Sequence, residues 1–321
     1  MTPLVSVVVP CYNQGRYLRE SIGSLRAQSL RDWECIVVDD GSSDNSQEIA
    51  RGLAEEDERV RVFAQENRGP SAARNRGVAE ARGRYLQFLD ADDLLEPDKL
   101  QVHVAYLEST EGVSIVYGDV RYFTDEYPDD YFFGIWGETG PWVTNLAALG
   151  EPLLEKVLSR NIMAMNCPIF PRSVLERIGP FSVSVLGCED WEYWIRCAAN
   201  GERFHYLEGP NTLALVRSHA TSTSRDLSRM LDGECRFRVK VGYLLRGNHF
   251  LRLQNFEKAA NRLGELNPPD YHRRLWELAN ANATARVYTY AFLRMLDRGD
   301  KLRAVARSLR VGLGISSKGV T

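Results

Sequence analysis

The sequence predicts an α/β fold, a mainly parallel sheet with helices on both faces, followed by an all-α C-terminal region. Three observations predict it. Short apolar, β-branched runs alternate with helical periods through the first part of the chain. Acidic or turn-forming residues stand at the C-terminal ends of those runs. The charge balance also changes sign late in the chain: residues 1–225 carry 22 Lys+Arg against 34 Asp+Glu, and residues 226–321 carry 18 against 9. That break sets the expected domains at 1–225 and 226–321.

The elements follow in order. Leu4-Val5-Ser6-Val7-Val8-Val9 is nearly continuous and β-branched, as a parallel strand covered on both faces should be. Pro10 ends it, and Cys11-Tyr12-Asn13-Gln14-Gly15 reads as a loop before Leu18, Ile22 and Leu25 recur at helical spacing. Trp33–Val38 is a second strand ending in Asp39-Asp40-Gly41, with Ser43 or Asp44 expected to cap a helix running to about Glu56. Val60–Phe63 is a third strand. Asn67-Arg68-Gly69-Pro70 turns into a helix holding Arg74, and the Tyr85–Leu89 strand follows. Strand and helix alternating in this way predict right-handed crossovers.

Asp90, Asp92 and Asp93 close that last strand, three carboxylates in four residues. Ligands of open α/β sheets bind at the carboxyl ends of the strands. Crowded acids repel and lose hydration, and a divalent cation such as Mg²⁺ or Mn²⁺, shared with substrate phosphates, compensates for both. Around them Tyr12 offers an aromatic face, Asp39 and Asp40 offer acceptors for a base N–H or a ribose hydroxyl, and Arg74 offers a cation near phosphates. No G-x-G-x-x-G follows the first strand and no G-x-x-x-x-G-K-[ST] occurs, which argues against Rossmann and P-loop sites.

Further on, Phe123, Tyr127, Tyr131, Phe132, Phe133, Trp136 and Trp142 fall among prolines and glycines, the pattern of a long loop or short hairpins suited either to sugar faces or to plugging the core. Asn161–Phe170 approaches the site with Asn166 in its midst. Glu189 and Asp190 then precede Trp191, Trp194, Ile195 and Ala198, whose spacing places both acids at a helix N-terminus. Arg217-Ser218-His219 comes next. Beyond 226 the chain reads as helical. Asn255–Ala259 with Leu263 resembles a tetratricopeptide half-repeat, and Gly299–Ala304 repeats the idea.

The segments Ser6–Asn13, Val38–Asp44, Asn67–Asn75 and Asp90–Asp93 together resemble the successive motifs of glycosyltransferase family 2, over roughly residues 4–225. The resemblance implies a GT-A fold and an inverting, metal-dependent transfer from a nucleotide sugar. UDP-sugars are favoured and dTDP-sugars are the other option. It implies donor contacts at Pro10, Tyr12, Asn13, Asp39, Asp40, Arg74, Asp90 and Ala91. Mn²⁺ or Mg²⁺ would be held by Asp92 and His219, with catalysis by Asp190 as base beside Glu189. Trp136, Trp142, Asn166 and Trp191 are expected on the side of the acceptor, a glycan, a lipid-linked glycan or another hydroxyl compound. No Q-x-x-R-W follows, so a non-processive enzyme of cell-surface or extracellular polysaccharide synthesis is expected. The alternatives are a nucleotidyltransferase, which should carry a Gly-rich loop after the first strand, and a catalytically silent scaffold, which should have lost Asp92 or Asp190.

The rest of the composition narrows the class. With 44% apolar and 26% charged residues the chain reads as an ordinary globular protein. Its six cysteines are scattered without a C-x-x-C pair, which suits a reducing cytosol rather than a zinc site. No apolar run is long enough for a membrane span, and no signal peptide is recognisable. The expected location is the cytoplasm, peripheral at the inner membrane face if the basic helices meet lipid or a protein partner. No nucleic-acid partner is expected.

Overall fold

Every residue of β1 (Val5–Cys11) except Pro10 is buried, as is all of β2 (Trp33–Asp39), so the β-branched runs sit at the centre of a sheet. The computed structural model describes residues 2–134, 138–245 and 247–297. The chain divides into two compact units, Met1–Arg225 and Asp226–Thr321. Besides β1 and β2, the first half of unit one holds α1 (Gly15–Arg26), α2 (Ser46–Glu56), β3 (Val60–Ala64), α3 (Pro70–Glu80), β4 (Tyr85–Phe88), β5 (Leu94–Leu95) and α4 (Lys99–Ser109). Then come β6 (Ile115–Tyr117), β7 (Val120–Phe123), β8 (Ala147–Ala148), α5 (Gly150–Ser159), β9 (Pro168–Pro171), α6 (Arg172–Ile178), α7 (Glu189–Ala199), β10 (Phe204–Tyr206) and β11 (Ala214–Arg217).

The large sheet runs β3-β2-β1-β4-β9-β6-β10-β8, and β5-β11-β7 form a second, smaller one. β1 pairs in parallel with β2 and β4, and β2 with β3. The chain therefore moves outward from β1 to β3 and returns to the other side of β1 as β4. That reversal opens a crevice at the carboxyl ends of β1 and β4, where α/β proteins bind ligands. Register keeps the ends level, with Cys11 opposite Asp39 and Asp39 opposite Ala64. β9 pairs antiparallel with both β4 and β6, so the sheet is mixed beyond β4.

One local expectation is corrected and another is narrowed. The N-cap position of α2 is Asn45, not Ser43 or Asp44. Asp44 instead accepts from the Ser46 amide with one oxygen and from the Gly15 amide with the other, which joins two loops. The aromatic stretch after β7 starts as a hairpin, because Tyr122 and Phe132 exchange both backbone hydrogen bonds (2.8 and 2.9 Å) and stack their rings.

Unit two holds α8 (Leu227–Leu244), α9 (His249–Leu266), α10 (Tyr271–Ala281) and α11 (Ala285–Asp297). Its core gathers Phe256, Ala259, Leu263, Leu275, Leu278 and Val287. A polar network runs through it: fully buried Arg238 donates to Glu234 and Asn255, and Asn255 donates to Asn282. The second repeat expected at Gly299–Ala304 lies outside the described residues. No described helix is long and apolar enough to cross a membrane.

α3 lies tight on β1. A Cβ at Gly77 would stand 2.3 Å from Val8 Cγ1, and Val8 is fully buried and cannot retreat. Gly77→Ala should therefore cost about 1–3 kcal/mol through overpacking, despite alanine's better helix propensity. A urea titration should show a lower midpoint at an unchanged slope.

Candidate active site

Loops from the level strand ends meet in the crevice. The Tyr12 ring is half-exposed and free on its outer side (49%). Asn13, with φ +55°, turns its side chain back, and its Oδ1 accepts from the Ser43 and Asp44 amides. Asn13 thus clamps two loops together, and Pro10 before it is half-buried at the end of β1. Gly41 lets a third loop close in, since its Cβ would lie 2.8 Å from the Asn67 amide nitrogen.

The two aspartates after β2 differ. Asp40 spends both oxygens on the protein, accepting from Gln65 Nε2 (2.7 Å), Arg68 N (3.0 Å) and Gly69 N (2.8 Å). Asp39 is equally buried, yet its Oδ1 has no protein partner. A buried acceptor without a donor is uncommon. Asp40 shapes the loop, while Asp39 keeps the open position.

Around β4 the three carboxylates part company. Asn166, also buried, donates from Nδ2 to Asp93 and accepts from the Asp90 amide through Oδ1 at 3.1 Å. It braces the turn that holds the three carboxylates. Asp93 also accepts from the Arg217 amide at 2.8 Å, and burial with the charges of Asp92 and Asp90 pushes its carboxyl well above the usual carboxylate range. Ala91 is buried between them. Asp92 is half-buried, its Oδ2 2.9 Å from His219 Nε2 and 3.3 Å from Gln14 Nε2.

His219 is held for that encounter. Its Nδ1 lies 3.0 Å from Thr221 Oγ1, and its ring stacks on Tyr17 with centroids 5.4 Å apart. Behind it, buried Arg217 donates to the Asp92 carbonyl (2.9 Å), to Glu20 (2.6 Å) and to Asp125, and its guanidinium lies over the rings of Tyr17 and Phe123. Tyr17 donates its hydroxyl to the same Asp125. Arg217 was visible as part of Arg-x-His. Tyr17, Glu20 and Asp125 carry no sequence signal, being 92 to 200 residues from Arg217 along the chain.

Arg74 joins the two halves of the site. Its Nη2 lies 2.7 Å from Asp90 Oδ1 and its Nη1 2.9 Å from Glu189 Oε1. Burial opposes its charge, but Asp90 and Glu189 outweigh that and raise its pKa above the ordinary arginine value. The sequence suggested Arg74 beside phosphates; in the structure both terminal nitrogens are turned to carboxylates. Glu189 spends its other oxygen on the Gly187 amide at 2.9 Å, anchoring the start of α7.

Asp190 is the second residue of α7, and the N-cap position belongs to Cys188, which makes no side-chain cap. Its Oδ1 accepts from the Trp191 amide (2.6 Å) and its Oδ2 from Asn161 Nδ2 (3.0 Å). Burial first, then the charge of Glu189, push the Asp190 carboxyl up to about 6. Trp191 donates its indole N–H to the Val157 carbonyl at 2.6 Å, so it supports the helix start from α5. Trp142 is half-buried and its carbonyl accepts from Arg160, and Trp136 lies outside the described residues.

Among the described residues no three His, Cys, Asp or Glu side chains converge on one point. The Asp92–His219 pair is therefore the place to test for a cation. One carboxylate oxygen and one imidazole nitrogen face each other at 2.9 Å, from the ends of β4 and β11. Such a pair fits a divalent ion that completes its shell with substrate phosphates and water.

The chain is similar to known proteins at three levels. The family model for glycosyl transferase family 2 matches residues 6–159. Glycosyltransferase GlyG of Streptococcus pneumoniae is 37% identical over 43% of this chain and 46% of its own length. An uncharacterized glycosyltransferase of Methanocaldococcus jannaschii is 30% identical over 64% of this chain and 68% of its own. The chain thus spans about half of the first relative and two thirds of the second. Staphylococcus aureus TarS 1–349, solved with UDP-GlcNAc, superposes with a TM-score of 0.66 at 18% identity, covering 96% of this chain and 92% of that one. Mannosyltransferase PcManGT of Pyrobaculum calidifontis, solved with GDP-Man and Mn²⁺, gives 0.56 at 19%, covering 97% and 87%. At these identities the structural likeness establishes the GT-A fold.

Arg217→Lys should loosen the His219 side of the site, because one ammonium cannot serve two side-chain acceptors, a backbone carbonyl and two aromatic faces together. Chemical denaturation should report a loss of about 1–3 kcal/mol, and nucleoside diphosphate affinity should fall more with Mn²⁺ present than without it.

Proposed function

This chain belongs to glycosyltransferase family 2, and from that premise we propose that it is an inverting, metal-assisted, non-processive glycosyltransferase. It would move a sugar from a UDP- or dTDP-sugar to a hydroxyl of a glycan or lipid-linked glycan in surface polysaccharide synthesis. The observation that carries this reading is the Arg74 bridge. One guanidinium touches the carboxylate motif of β4 and the acidic start of α7, so a donor held at the strand ends and a base on the helix share one site.

The base of the donor would stack on Tyr12 and give an N–H to the open Oδ1 of Asp39. Uracil and thymine both present such an imide N–H. Asp92 and His219 would hold Mn²⁺ or Mg²⁺ against the diphosphate, and the cation would supply positive charge to the leaving group. The imidazole donor favours Mn²⁺, since Mg²⁺ prefers oxygen ligands throughout. Asp190 takes the proton of the acceptor hydroxyl. That oxygen then forms its bond to the anomeric carbon as the bond to the diphosphate breaks on the opposite face, and the configuration inverts. A carboxyl titrating at about 6 is a better base than an ordinary aspartate and is still mostly ionised at neutral pH.

Support for a peripheral location comes from the basic balance of residues 226–321 and from Phe250, Trp276 and Phe292, all exposed on unit two. Basic and aromatic surface of this kind suits an anionic membrane face.

Three outcomes test the reading. Asp190→Asn should lower transfer about 10²–10⁴-fold while UDP affinity and the unfolding midpoint stay near those of the parent. Near-normal turnover would reduce Asp190 to a structural role. Asp92→Asn should abolish the gain in UDP affinity produced by Mn²⁺ and leave metal-free binding intact, measured by calorimetry; a retained gain would move the cation elsewhere. The rate should also rise with pH through about 6, because only the ionised carboxylate accepts a proton. Stability should run the other way over the same range: the raised pKa means the folded state holds that proton more tightly than the unfolded chain, so this group's contribution declines as pH rises from the ordinary aspartate value to about 6.

A further inference from the structure

We propose that Asn161, which belongs to none of the recognised motifs, is a positioning residue for the transfer, holding the Asp190 carboxylate in the orientation and charge state in which it takes the acceptor's proton. The proposal rests on the reading of Asp190 as the base. Asn161 stands just beyond α5, and its Nδ2 donates to Asp190 Oδ2 at 3.0 Å while the Trp191 amide occupies Oδ1. Trp191 is itself tied to the Val157 carbonyl of α5. The carboxylate is therefore held on one side by Asn161, 29 residues away in sequence, and on the other by the amide of its own neighbour.

The amide has one orientation only, because reversing it would point Oδ1 at a carboxylate oxygen. In that orientation Asn161 Oδ1 is shut off from water and has no hydrogen-bond partner. Leaving that acceptor unpaired costs free energy. What Asn161 gains in exchange is one charge-assisted hydrogen bond to Asp190.

The charged groups around Asp190 are Glu189 on its own helix, which disfavours ionisation, and Arg74 from α3, which favours it. The Cys167 thiol, pushed by burial up to about 12, is neutral. From the α5 side the group that faces it is the neutral amide of Asn161, and its N–H favours the ionised form. Losing that N–H raises the proton affinity of the base. The acidic limb of the rate profile then moves to higher pH.

The test compares pH profiles of kcat/KM for acceptor in the full chain, its Asn161→Ala and Asn161→Asp variants, and Asp190→Asn, with UDP-sugar and Mn²⁺ saturating. Asn161→Ala should shift the acidic limb upward by about one pH unit, recovering much of its activity at alkaline pH. Asn161→Asp, nearly isosteric and so expected to fold even if the alanine variant does not, should shift it further by placing a second carboxylate against the first. An unmoved limb in both variants, with Asp190→Asn inactive, overturns the role of Asn161 and leaves the base in place. Full activity in Asp190→Asn overturns the base itself, and the proposal with it.

Discussion

The site depends on one buried guanidinium. Arg74 lies between Asp90 and Glu189 with both terminal nitrogens engaged, in a position where water cannot solvate its charge. A buried pair of this kind adds little net stability relative to an apolar core. Breaking it is costly, about 3–5 kcal/mol, because a partner is then left charged and unsolvated. What Arg74 provides is placement. β4 and α7 lie far apart in the chain, yet their acidic motifs are fixed within the span of one side chain.

Around that joint the same solution recurs. Arg217 is buried among Asp125, Glu20 and the Asp92 carbonyl, and orders the loop that presents His219. Lys99, fully buried, gives its ammonium to the Cys167 and Thr212 carbonyls, and burial lowers its pKa to about 8. Cys167 follows Asn166, which braces the turn of Asp90 and Asp93. The carboxylates of β4 and α7 therefore stand on a layer of largely hydrogen-bonded polar groups, and Asp39 Oδ1, Arg74 Nε, Gln87 Oε1 and Asn161 Oδ1 are among the buried atoms left without a protein partner. Preorganisation of this sort spares the site from rearranging as charge moves between substrate and protein.

Much of this was legible from residues alone. The hydrophobic runs of β1, β2 and β4 are buried as their continuity required, and the acids follow them because strand ends are where polar groups can reach solvent or ligand. Glu189 and Asp190 fall at the start of α7 because the Trp194, Ile195 and Ala198 stripe fixes its phase. Less legible were the charged residues that carry no period. Arg74, read as a phosphate contact, also bridges two carboxylates; Asp40, read as a base contact, also braces a loop; and Asn166, read as an acceptor contact, hydrogen-bonds Asp93.

Local sequence determined which stretches become strands and helices, and at which end of the sheet the chemistry collects, because those outcomes follow from periodicity and from the reach of a few neighbouring residues. It could not determine which of two adjacent aspartates stays open, or that a lone asparagine hydrogen-bonds Asp190. Those depend on partners brought from elsewhere in the chain: Gly69 to Asp40, Asn161 to Asp190, Glu189 to Arg74. A hydrogen bond acts over about 3 Å, and only the packing of the sheet against its helices brings such distant groups within that distance.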